Sequence, residues 1–193
     1  MDIIDSMVER LKRARHPVRV ALAAAVGDRV LPVFEEYWRE PPADEIPRTL
    51  ELVWAHACGE AVDKGEFAAC VQEVEETVEF LEGEQVTVAT EAAVVIQRAA
   101  EATNSDEGEA VLAVARALVM ALDAAEFAEG MANRQTPNAR TEAALAEEKA
   151  WQDAALVLIV GWRGVPNRRM FDSIGSRPPK WLKDWSARIA HLT

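Results

Sequence analysis

A run of thirteen residues, Ala110–Leu122, constrains the fold of this chain more than any other part of the sequence. Arg116 is its only charged residue, so a helix over this run would be apolar on nearly every face. Such a helix must be covered on all sides by its neighbours. The run is followed closely by acidic residues, and it is shorter than the roughly 20 apolar residues that cross a bilayer. It therefore predicts a central helix in a protein core.

The composition favours an all-α fold. Hydrophobic residues make up 50% of the chain but aromatic residues only 6%, and alanine supplies much of the difference. Alanine favours closely packed helices, whereas sheets are rich in β-branched and aromatic residues. We expect a compact bundle of about seven or eight helices around the central apolar helix. A chain of 193 residues can bury a sizeable core, and we expect one domain over residues 1–193.

Apolar residues recur at helical spacing along most of the chain. Pro17 is expected to open the second helix, whereas Pro32 leaves two alternatives, a kinked helix or two helices meeting end to end. Asn104 and Glu107 resemble a capping box at the start of the central helix. Residues 87–90 would also suit a short extended piece. The expected helices cover residues 2–15, 17–37, 47–62, 66–82, 86–102, 104–130 and 141–162, with a basic loop at 163–179 and a last helix packed on the body.

The charge of the chain is negative overall but unevenly distributed. The formal net charge is −12. Residues 163–193 carry seven Lys or Arg against two Asp, a net charge of +5, which leaves −17 for residues 1–162. An acidic body repels phosphate backbones, so nucleic-acid binding is not expected. It attracts basic proteins, although many acidic surfaces serve only to keep a protein in solution.

The N-terminal residues lack the features of a secretory signal. Residues 1–15 include acids where a signal peptide is positively charged, and no long apolar region follows. We therefore expect a cytoplasmic protein that does not bind a membrane. In a reducing compartment, Cys58 and Cys70 are expected to be small buried residues rather than a disulfide or a pair of metal ligands.

Histidine is the side chain that most often acts as an acid, a base or a metal ligand near neutral pH. His56 lies one helical turn before Glu60, but a catalytic zinc needs a third protein ligand, and no suitable motif is visible. His56 and Cys58 are two residues apart on a helix and point in different directions, so they cannot share a proton. We therefore predict no catalytic residue, no cofactor and no metal site, and a non-enzymatic protein is favoured.

The fourth helix carries a row of glutamates, Glu73, Glu75, Glu76 and Glu79. Such a row is typical of a solvated helix face, and it is also a surface that would bind a basic partner. Both interpretations stay open at the level of sequence.

Arg116 interrupts the central apolar run. An arginine there must reach the surface or pair with a carboxylate, because an unpaired buried charge costs several kcal/mol. One interpretation is a structural ion pair, and the other is an anion-holding group in a small pocket. Asp123 and Glu126 share a helix face nearby, and Arg29 in the second helix raises the same question. These four residues form the candidate ligand pocket.

Three segments of the chain are ordered and spaced as in a known bacterial family. They are Asp28–Pro32 with the following Tyr37, Leu50–Trp54, and Glu147–Gln152. The chain resembles domain-of-unknown-function family 416 and the related helical immunity proteins of polymorphic toxin systems over residues 15–162. The resemblance implies a compact helical bundle without an established active site. Its immunity branch implies a protein that neutralises a toxin by binding it, and the basic segment after Trp162 departs from the family pattern.

Two functions are compatible with these features. The first is a non-enzymatic interaction protein, of the immunity type, whose glutamate row binds a basic, toxin-like partner. The second is a small-ligand or anion-binding protein, or an enzyme, with a pocket beside the central helix. The apolar central helix is also compatible with the core of a homodimer.

Overall fold

Helices account for the regular structure of the described chain, as the composition predicts. The computed structural model describes residues 3–38, 44–83, 87–133, 139–175 and 179–183. Within these ranges there is no strand. The α-helices are α1 (Ile3–Leu11), α2 (His16–Tyr37), α3 (Glu45–Ala57), α4 (Lys64–Gly83), α5 (Thr87–Asn104), α6 (Glu107–Asn133) and α7 (Ala139–Gly161), and a 3₁₀ helix covers Arg168–Ile174.

The boundaries of α2 follow from its prolines. Pro17 lies in the first turn, where its missing N–H has no intrahelical acceptor to lose. Pro32 lies inside the helix, which continues to Tyr37, so the chain does not divide into two helices there. Trp38 closes the helix with a backbone hydrogen bond of 2.8 Å to the carbonyl of Phe34.

Helix α2 is fully enclosed over most of its first half. From Val18 to Val26 no residue is more than 1% exposed, and α2 packs against α3, α5, α6, α7 and the 3₁₀ helix. A Cβ atom on Gly27 would lie 2.7 Å from Leu50 Cδ1, so glycine permits α3 to approach α2 closely. The many buried alanines of the neighbouring helices likewise allow close contacts between helices.

The predicted core helix at Ala110–Leu122 is present, but it is not covered on every side. These residues lie in α6, which is a core helix, but Arg116 is exposed and Leu112 is 36% exposed. One side of α6 therefore faces solvent, and α6 shares the core with α2 and α5, which pack against it. The sequence of α2 does not reveal how deeply this helix is buried, because Arg19 and Arg29 make it look less apolar although both side chains are buried.

Aspartates start two of the helices. Asp106 accepts backbone hydrogen bonds from Gly108 (2.9 Å) and Glu109 (3.0 Å) at the start of α6. The N-cap is therefore Asp106, and the prediction of Asn104 was wrong. Asp63 accepts the Glu66 N–H at 2.8 Å and caps α4 in the same way. Helix α4 then packs on α3 and α5 through the apolar residues on one of its sides.

The chain after α7 contains more structure than predicted. Arg168–Ile174 form a 3₁₀ helix within the expected loop, and Asn167 caps it by accepting the Arg169 N–H at 3.0 Å. Residues 180–183 are helical, in line with a last helix from Pro179. Residues 184–193 lie outside the described part.

No helix within the described ranges is both long and apolar enough to cross a membrane.

Candidate functional site

An open pocket of ≈ 420 Å³ lies between α4 and α5 and reaches Met120 of α6. We call it the acidic pocket, because four of its lining residues are glutamates, Glu75, Glu79 and Glu82 from α4 and Glu91 from α5. Two of the residues predicted from sequence, Glu75 and Glu79, therefore contribute to one concave site. They do so because they are four residues apart on a helix and share a face.

Glu91 is the residue of this pocket whose environment most disfavours the ionised form of its side chain. It is half-buried, and its Oε2 atom is fully buried without a hydrogen-bond partner. Burial, followed by the like charges of Asp123 and Glu82, raises the pKa of Glu91 to about 7. Burial and the neighbouring Glu126 also raise the pKa of Asp123. The carboxylates of α4, α5 and α6 thus repel one another at neutral pH.

Little in the pocket offsets this negative charge. Among the described residues that line it, Arg98 is the one cation, and its guanidinium is paired with Glu101. Glu79 and Glu82 lie near the C-terminus of α4, where the helix dipole disfavours acids, and the last turn has no basic residue. The pocket is therefore electrostatically suited to a cation.

The other predicted site residues are dispersed. Glu73 and Glu76 are exposed on α4 outside the pocket, and Glu76 accepts a 2.9 Å hydrogen bond from Gln72. Arg116 is exposed on α6. Glu126 is also exposed, one turn beyond Asp123. Arg29 is buried in a different part of the core, so the structure does not bring the candidate ligand residues into one pocket.

Sequence reasoning missed Glu91 and Glu82. A signal for Glu91 was present, because this acid lies three residues after Val88 and four before Val95, both buried in α5. An acid at helical spacing with core residues must be partly desolvated. Glu82 offered no comparable signal, since it continues a row of exposed glutamates.

Arg29 lies in a second region of charge, an ion pair with Glu148 inside the core. Arg29 Nη2 is 2.8 Å from Glu148 Oε2, Arg29 Nε is 3.1 Å from the same oxygen, and neither side chain is more than 1% exposed. The guanidinium carbon lies 4.3 Å from the ring centroid of Trp151. Gln152, one turn after Glu148, donates to the carbonyl of Leu118 at 2.9 Å. This is the structural ion pair that sequence reasoning considered, formed at Arg29 rather than at Arg116.

The three segments that carry the family resemblance meet around this ion pair. Asp28, beside Arg29, accepts the Trp54 Nε1–H at 3.0 Å, and this bond joins the first two segments. Phe171 of the 3₁₀ helix lies between Trp54 and Trp151, with ring centroids 6.4 Å and 5.9 Å away. The third segment also holds the helical turn at residues 180–183, since Glu147 accepts the backbone N–H groups of Lys180 (2.7 Å) and Trp181 (3.2 Å).

The side-chain types that act as metal ligands, nucleophiles or bases are the remaining candidates for chemistry. No group of three or more His, Cys, Asp or Glu there is placed to hold a metal ion. Burial raises the pKa of both free thiols, Cys58 and Cys70, which keeps them in the less nucleophilic thiol form. The rings of His16 and His56 lie edge to face, with their centroids 6.4 Å apart. Burial, followed by the charge of Arg19, lowers the pKa of His16.

Comparison with known proteins gives a likeness of fold. No protein-family model matches the sequence, and no curated protein matches it either. Among solved structures, the chain is similar to the crystal structure of a DUF416 family protein from Shewanella baltica OS155, with a TM-score of 0.60 and 16% identity over 93% of each chain. An identity this low supports a shared fold and no residue roles. The protein thus has the all-helical fold of a DUF416 family protein, as the three segments predicted.

Proposed function

We propose that the protein is a non-enzymatic binding protein whose acidic pocket receives a lysine or arginine side chain of a basic protein partner. The observation that carries this proposal is the buried Oε2 atom of Glu91, which has no partner and faces the charges of Asp123 and Glu82. A buried carboxylate without a partner is costly. A cation entering the pocket would remove that cost and form charge-assisted hydrogen bonds.

The surface around the pocket supports a protein partner. Glu73 and Glu76 continue the negative face of α4 beyond the rim and are available to further basic residues of the same partner. The net charge of −12 would increase the rate at which a basic protein associates. Residues 73–82 would therefore supply both the attraction and the contact.

The family resemblance suggests a more specific form of this proposal. Immunity proteins bind and neutralise toxins, and nuclease toxins are basic because they bind nucleic acid. We propose a toxin-like partner on this ground. Co-expression with the product of the gene immediately upstream would test it, and copurification together with restored growth is the expected result.

The proposed contact chemistry can be tested with a defined cation. A fluorescein-labelled peptide of ten lysines is titrated into the full chain and into the variant E75Q/E79Q, and binding is followed by fluorescence anisotropy. We expect about tenfold weaker binding to the variant, because two pocket carboxylates are lost. The matched control, E60Q/E142Q, removes two exposed carboxylates outside α4. Equal weakening in both variants would show that only net charge matters and would contradict the proposal.

A small organic cation is a second candidate for the same pocket. Its volume of ≈ 420 Å³ falls within the range of small-molecule sites, and its charge selects against anions. A thermal-shift comparison of spermidine with citrate would test this alternative. Stabilisation by spermidine that E91Q abolishes is the expected result, and stabilisation by citrate alone would exclude a cation site.

A further inference from the structure

A cleft between α2, α3 and α7 is filled by a segment of the chain itself. The segment 163–175 lies over it, and we call this segment the strap. The strap is basic, with Arg163, Arg168 and Arg169 against Asp172, whereas the helices beneath it present Asp28 and Glu51. Arg15 Nη2 holds its beginning through the carbonyl of Gly164 at 2.7 Å.

Two residues of the strap make the principal contacts. The Nε atom of Arg168 is 3.7 Å from Asp28 Oδ2, its Nη2 atom pairs with Glu51, and its guanidinium carbon is 5.5 Å from the Trp54 ring centroid. Phe171 is fully buried between Trp54 and Trp151. Residues three apart in a 3₁₀ helix lie on the same side, so Arg168 and Phe171 enter the cleft together.

The strap leaves part of the cleft unsatisfied. The Nε1 atom of Trp151 is buried without a hydrogen-bond partner, although Trp151 is only 4% exposed. Gly175 lies against the same ring, where an added Cβ would come within 2.9 Å of Trp151 Cδ1. A buried indole N–H usually has an acceptor. Its absence shows that the strap fits the charged and aromatic parts of the cleft without satisfying the donor of Trp151.

The strap is also the more weakly secured part of this contact. Its regular structure is seven residues of 3₁₀ helix, a conformation with poor hydrogen-bond geometry over such a length. The side chain of Arg168 is 43% exposed, and solvent weakens an ion pair of that kind. Of its thirteen residues only Pro166, Met170 and Phe171 are buried. A segment held at so few positions opens at a lower free energy than the helices below it.

We propose that the cleft between α2, α3 and α7 is a peptide-binding site held closed by the strap, and that its external ligand is a protein segment with an arginine and an aromatic residue three positions apart. The strap is then an internal competitor that such a segment displaces. The arginine would bind Asp28 and Glu51, and the aromatic ring would occupy the slot between the two tryptophans. This site is distinct from the acidic pocket, and the inference does not depend on the proposed function.

The test uses the full chain and a peptide copy of its own strap. A fluorescein-labelled peptide of residues 165–175 is titrated into the unaltered protein and into the variant R168E. In this variant the strap carries a glutamate opposite Asp28 and Glu51, so like charges release it while Phe171 is retained. We expect the peptide to bind R168E at least tenfold more tightly than the unaltered protein.

The neighbouring arginine provides a matched control. Arg169 is exposed, and R169E makes the same change in net charge without altering the contacts at Asp28 and Glu51. We expect R169E to bind the peptide as the unaltered protein does. Circular dichroism of R168E should show the helical content of the unaltered protein.

Three results would overturn the inference. They are equal affinity for all three proteins, equal affinity for a peptide carrying R168A and F171A, and no saturable binding to R168E. If R168E fails to fold, hydrogen exchange on the unaltered protein replaces it. A peptide that binds must then accelerate exchange of the amides of the strap, and unchanged exchange at saturating peptide overturns the inference.

Discussion

Two glutamates, one buried and one half-buried by helix packing, have opposite surroundings in this protein. Glu148 lies beside Arg29, accepts its charged N–H groups and is sealed with it against Trp151. Glu91 lies beside Asp123 and Glu82 and has a buried oxygen without a partner. The first carboxylate is neutralised within the chain, and the second is surrounded by charges of its own sign.

The contrast separates a structural role from a candidate functional one. A satisfied buried ion pair fixes how α2 and α7 pack, and it leaves no charge for a ligand. A carboxylate whose pKa is raised by burial and by like charges makes the folded protein less stable, and such arrangements are concentrated at functional sites. The Arg29–Glu148 pair therefore has a structural role in the packing of α2 on α7, whereas the acidic pocket is the candidate binding site.

The largest expected effect is the loss of one member of the buried pair. R29M leaves Glu148 uncompensated in the core and removes the cation from the face of Trp151. We expect the free energy of unfolding to fall by about 3–5 kcal/mol, measured by urea denaturation at pH 7. This is a large part of the total stability of a domain of this size, which is about 5–15 kcal/mol.

The double variant R29M/E148M distinguishes charge from packing. It replaces both partners with apolar side chains of similar length, so no uncompensated charge remains. We expect its stability to lie within about 1 kcal/mol of the unaltered protein. A double variant as unstable as R29M would mean that the hydrogen bonds and the stacking, rather than the compensated charge, hold this region together.

The second effect has the opposite sign and depends on pH. Glu91 has a pKa of about 7 in the folded protein and of 4.5 as an unperturbed glutamate. Between these values the folded state binds more protons than the unfolded state, so the free energy of unfolding falls as pH rises. E91Q cannot ionise and avoids that loss. We expect E91Q to be more stable than the unaltered protein by about 1–2 kcal/mol at pH 8, a value that allows for partial exposure of the pocket to solvent.

The same measurement at low pH provides the check. Near pH 4.5 the carboxyl of Glu91 is protonated in the folded state and nearly half protonated in the unfolded state, so the advantage of E91Q should almost disappear. E109Q, at an exposed position in the first turn of α6, should show no such gain at pH 8. An advantage for E91Q that is equal at both pH values would be due to packing and would remove the electrostatic account of the pocket.

Much of the fold follows from patterns that act locally. Proline at position 17, aspartate before α4 and apolar residues at helical spacing each have a physical effect within one or two turns, so the helix positions could be predicted. How deeply each helix is buried could not be predicted in this way. Arg19 is buried because its guanidinium reaches Glu107 and the carbonyl of Ala14, and such partners are distant in sequence or belong to the backbone.

The candidate site was predictable only in part, for the same reason. Glu75 and Glu79 share a helix face, and that relation is readable from their spacing. Their proximity to Glu91 and the effect of Asp123 depend on how α4, α5 and α6 pack, which spacing within one helix does not determine. Arg116 reaches solvent, which is one of the two outcomes that its position allowed, and the buried ion pair forms at Arg29 instead.

The smallest effect comes from supplying the acidic pocket with a cation of its own, so that it resembles the Arg29–Glu148 region. E82K replaces a carboxylate that raises the pKa of Glu91 with an ammonium group on the same rim. We expect the pKa of Glu91 to fall, because a repulsive neighbour becomes an attractive one. The gain in stability should be about 0.5–1 kcal/mol, since the new pair is open to solvent. The pKa is measured by NMR titration of the Glu91 side-chain carboxyl carbon.

E76K makes the same change in net charge outside the pocket and should leave that titration nearly unchanged. An equal shift in both variants would mean that Glu91 senses the overall charge of α4 rather than the cation beside it, and the acidic pocket would then be no more than part of a charged surface.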